Sequence, residues 1–296
     1  MGGVGLETLS SSYKETYKKF CMPSDDSVKL TSVILSKENK HKLDEFIKET
    51  KSKQKLIDYG LTPINRILMY GASGTGKTYL TLALANYFQY EMLAVDIARA
   101  LSENNASQVL TEIFDLANTL KNAVIFLDEC DAICWDRSDD ENKSTATIRI
   151  ANNTLFQLLD RLDPHCIFVA ATNLYKNLDP AFCRRFNVRM EFNMPTAEDF
   201  DISVQRFLNP KFKFIQDVSK DLKDIVLYQI RFHTAMSYYA IKDWVERVEK
   251  ESVISGSDEV RESRIYDYLM QELRIEYYTD AEGVLQLHQY PKGKYS

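Results

Sequence analysis

Four short apolar runs are spaced along the chain, and each predicts a β-strand. They are RILMY (Arg66–Tyr70), EMLAVD (Glu91–Asp96), AVIFL (Ala123–Leu127) and CIFVAAT (Cys166–Thr172). The third run is continuously apolar, as is typical of a parallel strand covered on both faces. These runs therefore predict a parallel sheet packed between layers of helices.

Segments with apolar residues at helical spacing alternate with the strands. One precedes the first strand, with Ser36 in the N-cap position, Gly60 as its stop, and Leu43 and Phe46 on its inner face. Three more follow the first, second and third strands: Thr78–Phe88, Ser107–Leu120 and Ala146–Leu162. The alternation predicts an α/β fold with its ligand at the carboxyl ends of the strands.

Both ends of the chain differ from this pattern. Residues 1–29 are polar, with apolar residues at roughly helical spacing, which favours a loosely attached terminal helix over a docking arm. An acidic loop follows Trp135. Four helical patterns come after the last strand: 197–208, 221–232, 237–248 and 261–275. They predict a second, helical domain, and the final tail fits either a β-hairpin or an interface strand.

A glycine-rich segment, GASGTGKT (Gly71–Thr78), joins the first predicted strand to the following helix. It fits the phosphate-loop pattern G-x-x-x-x-G-K-[ST], including the strand and the helix that the pattern requires. Gly71, Gly74 and Gly76 permit positive φ and close backbone approach, so that successive N–H groups can hold phosphate oxygens. The alternative, a glycine-rich turn that binds nothing, does not explain this context.

The residues after these glycines supply charge and a metal ligand. Lys77 is placed to contact the β and γ phosphates, and the Thr78 hydroxyl is placed to bind Mg²⁺. The start of the helix adds its positive end. The other residues expected to bind nucleotide in this segment are Ala72, Ser73, Thr75 and Tyr79.

Polar residues follow two of the later strands. Asp128 and Glu129 end the third strand, where an Asp can hold the Mg²⁺ shell and a Glu can deprotonate an attacking water. Asn173 follows the fourth strand, where its amide can contact both the water and the γ-phosphate. Alone, each would be an ordinary turn residue. Together with the phosphate loop, they predict nucleotide hydrolysis.

The composition is that of a soluble globular protein, with 296 residues, 45% of them apolar. There are 37 basic and 43 acidic residues, a net charge of −6, which disfavours nucleic-acid partners. The five cysteines and the lack of a secretory-type apolar segment favour reduced thiols in the cytoplasm. Cys130 and Cys134 have metal-like spacing, but a pair of buried hydrophobes is the favoured interpretation. No apolar run is long enough to span a membrane.

The motifs GASGTGKT, VIFLDE, AATN and LDPAFCRRF, in this order, resemble those of the AAA branch of the AAA+ ATPases. The resemblance covers roughly residues 36–250 and implies an α/β nucleotide domain (36–195) and a small helical lid domain (196–275). Residues 1–35 would then be an N-terminal extension and 276–296 a tail. It also implies ATP and Mg²⁺ as cofactors and a homo-oligomer, usually a hexameric ring.

Individual residues take roles from this resemblance. Asn173 corresponds to the sensor of the γ-phosphate, and Arg184 and Arg185 correspond to arginine fingers that reach the next subunit's site. Tyr59 and Gly60 fall where the family's adenine pocket forms. The segment Thr234–Ser237 resembles the start of the lid helix that closes over the nucleotide.

One departure from the family pattern concerns protein threading. Members that thread polypeptide carry an aromatic-hydrophobic-glycine pore loop after the second strand. The corresponding stretch, ARALSENNASQ (Ala98–Gln108), contains neither an aromatic residue nor a glycine. Because an aromatic ring is what grips an extended chain, this departure argues against threading.

The sequence thus predicts a Mg²⁺-dependent ATPase that forms a ring and remodels a protein partner. An ATP-gated scaffold that controls an associated protease or nuclease is the alternative. The missing pore aromatic favours the scaffold, and the full hydrolytic set favours turnover. A nucleic-acid motor is disfavoured by the acidic charge balance.

Overall fold

The computed structural model describes residues 10–23, 25, 27–135, 146–230, 236–280 and 285–289. The acidic loop after Trp135, residues Thr234 and Ala235 of the expected lid-helix start, and the first nine residues lie outside this set. The chain divides into two compact units. One comprises residues up to Ala72 and Gly76–Phe192, and the other comprises Ser73–Thr75 and residues from Asn193 onward.

Five strands form the sheet of the first unit: β1 (Arg66–Gly71), β2 (Glu91–Val95), β3 (Ala123–Leu127), β4 (Ile167–Thr172) and β5 (Val188–Phe192). Their order is β2-β3-β4-β1-β5, and all neighbouring strands are parallel. The predicted fold class, an α/β parallel sheet flanked by helices, is confirmed.

The helices of this unit are α1 (Ser11–Phe20), α2 (Lys37–Lys51), α3 (Lys53–Asp58), α4 (Lys77–Phe88), α5 (Ile97–Ser102), α6 (Ala106–Leu120), α7 (Ala146–Asp160) and α8 (Pro180–Cys183). Ser36 caps α2 as predicted, since its hydroxyl accepts a hydrogen bond from the Asn39 N–H. The prediction of a single helix up to Gly60 is wrong. It stops at Lys51, and α3 begins after Ser52.

Alternate residues of β3 enter two separate hydrophobic cores. Ile125 and Leu127 pack in the core that contains α6, whereas Val124 and Phe126 pack in the core that contains Phe46 of α2. Both faces of the sheet are therefore covered. This is why β3 is apolar at every position.

The edge strand β5 is missing from the sequence-based prediction. Val188, Met190 and Phe192 are buried, whereas Arg189 and Glu191 between them are exposed. This alternation is the pattern of a strand with one wet face. It is the signal that would have identified the strand, although it covers only five residues.

Other segments of the chain cover both edges of the sheet. From α2, the Asn39 amide donates to the Glu191 carbonyl at 2.6 Å and the Lys42 ammonium donates to the Arg189 carbonyl at 2.9 Å. At the opposite edge, the Met22 N–H donates to the Met92 carbonyl of β2 at 2.8 Å. These bonds occupy backbone groups that would otherwise be open to pairing with another chain.

The N-terminal helix is more firmly attached than predicted. Phe20 is buried in the core that contains α6, and Tyr13 and Tyr17 pack against that core. The Tyr17 hydroxyl also donates to the Glu91 carboxylate at 2.6 Å. The prediction of a loosely attached helix was therefore wrong, because the apolar stripe of α1 has a partner surface on the sheet unit.

The second unit is mainly helical. Its elements are α9 (Ala197–Phe207), β6 (Lys213–Ile215), α10 (Lys220–Ile230), α11 (Tyr238–Ile254), β7 (Glu259–Arg261), α12 (Glu262–Leu273), β8 (Ile275–Thr279) and β9 (Leu285–Gln289). The four predicted helices are present, and Ser237 caps α11. Strands β8 and β9 form an antiparallel pair, so the hairpin interpretation of the tail is confirmed. No helix in the described part of the chain has the length and apolarity needed to cross a bilayer.

Phe168 of β4 provides a test of the core. It is fully buried, and its ring centroid lies 5.7 Å from that of Phe114 and 5.9 Å from that of Phe186. We expect Phe168→Ala to lower the free energy of unfolding by about 3–5 kcal/mol through lost burial and a residual cavity. The control Ile150→Ala removes a side chain that is 57% exposed and should change it by less than about 0.5 kcal/mol. Urea unfolding followed by circular dichroism measures both. Equal effects of the two substitutions would contradict this description of the core.

Candidate functional site

The glycine-rich loop between β1 and α4 has the backbone geometry that the sequence predicts. Gly71, Gly74 and Gly76 all have positive φ, at 141°, 73° and 100°. A Cβ atom at Gly71 would lie 1.9 Å from the carbonyl oxygen of Phe192 on β5. Only glycine fits there, because β5 approaches the end of β1 so closely.

Lys77 lies in the first turn of α4 and is buried, with 7% of its surface exposed. Its ammonium donates to the Gly71 carbonyl at 2.8 Å, the Ala72 carbonyl at 2.7 Å and the Asn173 side-chain oxygen at 2.8 Å. Burial lowers the pKa of Lys77, and the nearby Asp128 carboxylate opposes that shift. A buried ammonium is thus held against the loop by oxygen acceptors.

The contact between Lys77 and Asn173 follows from the order of the strands. Strand β1 pairs in parallel with β4, and Tyr70 lies opposite Thr172 in the register. The residues that follow these two positions therefore emerge side by side at the same edge of the sheet. The structure thus brings Lys77 into contact with Asn173 at this edge of the sheet.

Thr78 and Asp128 form a second contact at this edge. The Thr78 hydroxyl donates to a carboxylate oxygen of Asp128 at 3.4 Å. The other carboxylate oxygen accepts the Glu129 N–H at 2.9 Å. A hydroxyl and a carboxylate beside a phosphate loop are hard oxygen donors of the kind that Mg²⁺ binds, so this pair fits the metal that the sequence implies.

Glu129 has an unusual backbone conformation. Its φ is 49° and its ψ is 42°, in the left-handed region that residues other than glycine rarely occupy. The fully buried Cys130 follows it, and the Glu129 carbonyl accepts the Ala132 N–H in the adjoining 3-10 turn. The side chain of Glu129 is exposed. Strained conformations of this type are concentrated at functional sites.

Asp131 is a site-adjacent residue that the sequence analysis missed. Its carboxylate accepts the Thr172 hydroxyl at 2.5 Å, and the Thr172 oxygen accepts the Leu174 N–H at 2.8 Å. These bonds tie the segment around Asn173 to the turn that follows Glu129. The only signal in the sequence was a third acidic residue just after the Asp128-Glu129 pair.

The two candidate arginines have opposite environments. The Arg185 guanidinium donates to Asp160 at 3.3 and 3.4 Å and to the Ala181 carbonyl at 3.0 Å, and it lies 4.2 Å above the Phe156 ring. Arg184 is exposed, and its guanidinium makes no hydrogen bond or ion pair within the described part of the chain. The two residues are adjacent in sequence, but among the described residues only the Arg185 side chain has partners.

The remaining predicted residues have varied exposure. Tyr59 is the C-cap of α3 and is 75% exposed, and Gly60 follows it with a φ of 72°. In the loop and the first turn of α4, Ala72 and Ser73 are exposed, Thr75 is buried and Tyr79 is partly buried. The buried cysteines Cys130 and Cys134 are free thiols whose pKa values are raised by burial.

Comparison with known proteins bears on this arrangement. Residues 67–194 match the family described as "ATPase family associated with various cellular activities (AAA)". The proteasome-activating nucleotidase of Archaeoglobus fulgidus is 33% identical over 177 residues, which cover 57% of this chain and 43% of that protein. Vacuolar protein sorting-associated protein 4 of Dictyostelium discoideum is 31% identical over 140 residues, or 46% of this chain and 31% of that protein.

A third relative, the ATPase family gene 2 protein of Saccharomyces cerevisiae, is 32% identical over 158 residues, or 50% of this chain and 20% of that protein. The chain thus spans less than half the length of these curated relatives. The family match covers the phosphate loop, strands β2 to β5 and all of β1 except Arg66, together with the strand-end residues described above. This segment of the chain therefore matches the AAA family of ATPases.

Proposed function

We propose that this protein is a Mg²⁺-dependent ATPase that hydrolyses ATP to ADP and phosphate. The observation that carries the proposal is the convergence of two polar pairs on one glycine-rich loop. Lys77 contacts Asn173 at 2.8 Å, and Thr78 contacts Asp128 at 3.4 Å. A phosphate-binding backbone, a buried cation and a metal-binding pair are the components that phosphoryl transfer to water requires.

Different residues would bind the phosphates, the metal ion and the rest of the nucleotide. The loop N–H groups and Lys77 would hold the phosphates, with phosphate oxygens replacing the carbonyl partners that Lys77 has in the loop. Thr78 and Asp128 would hold Mg²⁺, which neutralises charge on the phosphate oxygens when bound. Tyr59, Gly60 and Tyr79 complete the proposed nucleotide contacts.

The chemical step uses Glu129 and Asn173. Glu129 takes a proton from water, whose oxygen bonds to the γ-phosphorus while the bond from that phosphorus to the bridging oxygen of ADP breaks. Asn173 orients the water and the γ-phosphate. Its side chain is exposed beyond β4 and already contacts Lys77, so it can respond to what binds there.

Hydrolysis is completed in this proposal by a neighbouring copy of the chain in a hexameric ring. Arg184 is the candidate finger, because its guanidinium is exposed and makes no hydrogen bond or ion pair within the described residues. Arg185 instead supports the segment that carries it, through Asp160 and Phe156. A permanently charged guanidinium supplied from outside stabilises the transition state only after assembly.

The ring acts on a protein partner in this proposal. Relatives include a proteasome-activating nucleotidase, whose name describes action on another protein assembly. A specific observation favours the ATP-gated scaffold as a second candidate. The stretch Ala98–Gln108, at α5 and the start of α6, presents no aromatic residue for gripping a threaded chain.

We place this activity in the cytoplasm, with five free thiols as the supporting observation.

Glu129→Gln tests the proposed base. The amide cannot accept the proton, so we expect kcat for ATP to fall at least about 100-fold while nucleotide affinity stays within about threefold. Phosphate release and calorimetric titration with ATP and Mg²⁺ measure the two effects. Glu112→Gln, on the exposed face of α6, is the matched control and should leave both unchanged. Hydrolysis at the wild-type rate in Glu129→Gln would remove Glu129 from this role.

The two arginines can be separated by single substitutions. Arg184→Ala should reduce hydrolysis about 1000-fold or more without changing thermal stability, since this side chain has no partner among the described residues. Arg185→Ala should lower the melting temperature, because it removes the contacts with Asp160 and Phe156. Differential scanning fluorimetry and phosphate release are the measurements.

Mixing then tests action between subunits. Arg184→Ala subunits should regain hydrolysis when combined with Lys77→Ala subunits, which lack a working phosphate site but keep an intact Arg184. Absence of rescue across mixing ratios would argue against action in trans. Full activity of Arg184→Ala, with loss confined to a still stable Arg185→Ala, would reverse the two roles.

The Glu129→Gln variant also separates the two candidate uses of ATP. If the protein is a scaffold, ATP-loaded Glu129→Gln should retain a stoichiometric effector, and the wild type should not unfold a tagged globular protein. ATP-dependent loss of fluorescence from a tagged fluorescent protein would instead establish remodelling by threading. Lys77→Ala is the control that should do neither.

A further inference from the structure

We propose that the stacked rings of Tyr70 and Tyr175 form a positioning pair that sets the distance between the phosphate loop and Asn173. The inference rests on the proposed ATPase function and deepens it, because it identifies what holds the sensor in place. Neither tyrosine touches the reacting atoms in this proposal. Both act through the position of Asn173.

The two rings join the two segments that must be held together. Tyr70 is the residue of β1 immediately before Gly71, where the loop begins, and Tyr175 lies two residues beyond Asn173. Their ring centroids are 4.0 Å apart, and the ring planes are inclined by 20°. This is a stacked aromatic contact between the start of the loop and the sensor segment.

The backbone does not make this connection itself. The β1–β4 ladder ends at the pair Tyr70 and Thr172, and Gly71 pairs with Phe192 of β5 instead. Asn173 therefore lies beyond the last residue that β4 shares with β1. A side-chain contact is needed to hold the segment after Thr172 against the loop.

Asn173 is flanked by an anchor on each side. On the N-terminal side of Asn173, the Thr172 hydroxyl donates to the Asp131 carboxylate, and its oxygen accepts the Leu174 N–H. That anchor ties the segment to the turn after β3. After it, Tyr175 ties the segment to β1. Beyond the last ladder pair, the second anchor joins the sensor segment to the strand that leads into the phosphate loop.

The contact that depends on this distance is the bond between Asn173 and Lys77, at 2.8 Å. A displacement of about 1 Å would break a hydrogen bond of this length and misorient a water held by the same amide. Misplacement on that scale reduces catalytic rates by up to about 100-fold. Loss of the stack should thus reduce turnover and leave binding by the loop nearly intact.

The rings, and not the hydroxyls, carry the effect. Neither phenol oxygen makes a hydrogen bond to a protein group within the described residues. Burial raises the pKa of Tyr70, and the Glu191 carboxylate adds to the shift, so this phenol stays neutral at ordinary pH. Phenylalanine should replace either tyrosine, whereas a side chain without a ring should not.

The test compares Tyr175→Phe, Tyr175→Ala, Tyr70→Ala and the double alanine variant of the full chain. We expect kcat for ATP to fall about 10-fold in Tyr175→Ala with KM within about threefold, and to stay within about twofold in Tyr175→Phe. The double variant should be no slower than the slower single one, because each substitution already removes the same contact. Phosphate release at several ATP concentrations gives both constants.

Several outcomes would overturn the inference alone. The inference fails if the wild type is active and kcat is unchanged in Tyr175→Ala. It also fails if the loss of kcat in the double variant is the product of the losses in the two single variants. A rise in KM with kcat unchanged would place the stack in binding instead. Tyr175→Leu, which keeps a large apolar side chain, replaces Tyr175→Ala if the latter does not fold, with the same expected loss. A wild type that neither binds nor hydrolyses ATP would instead overturn the proposed function, and this inference with it.

Discussion

The parallel pairing of β1 with β4 is the constraint on which the candidate site depends. It sets Tyr70 opposite Thr172, so that the glycine-rich loop and the segment that carries Asn173 leave the sheet next to each other. Strand β3, on the other side of β4, then brings Asp128 to the same edge. The residues of the site come from separate segments of the chain. Their proximity comes from strand order.

The environment of Lys77 shows how the fold accommodates a buried cation beside the glycine-rich loop. The ammonium of a lysine residue that is only 7% exposed requires oxygen partners, and three surround it here. Burying a charge without such partners would be strongly unfavourable. The same arrangement leaves the ammonium adjacent to the loop backbone, where phosphate oxygens can take over these bonds. The glycine at position 71 is equally constrained, since β5 leaves no space for a side chain.

Adjacent residues of one type can have different roles because of their surroundings. Arg185 is held by Asp160 and by the face of Phe156, so it supports the chain that contains it. Arg184 points to no partner among the described residues and is available to another molecule. Asp131 is a comparable case beside Glu129, because its carboxylate is engaged by Thr172. In each pair, one side chain is held by contacts within the chain and the other is exposed.

The sequence by itself determined the elements with strong local signals. Continuous apolar runs identified four buried strands, helical spacing identified the long helices, and the glycine pattern identified the phosphate loop, because each depends on residues close in the chain. Only the tertiary structure decided the rest. The pairing of the edge strand β5, the packing of α1 and the stack of Tyr70 on Tyr175 all depend on partners distant in sequence. A local pattern does not specify which distant segment it will meet, so these contacts become visible only when the strands are placed side by side.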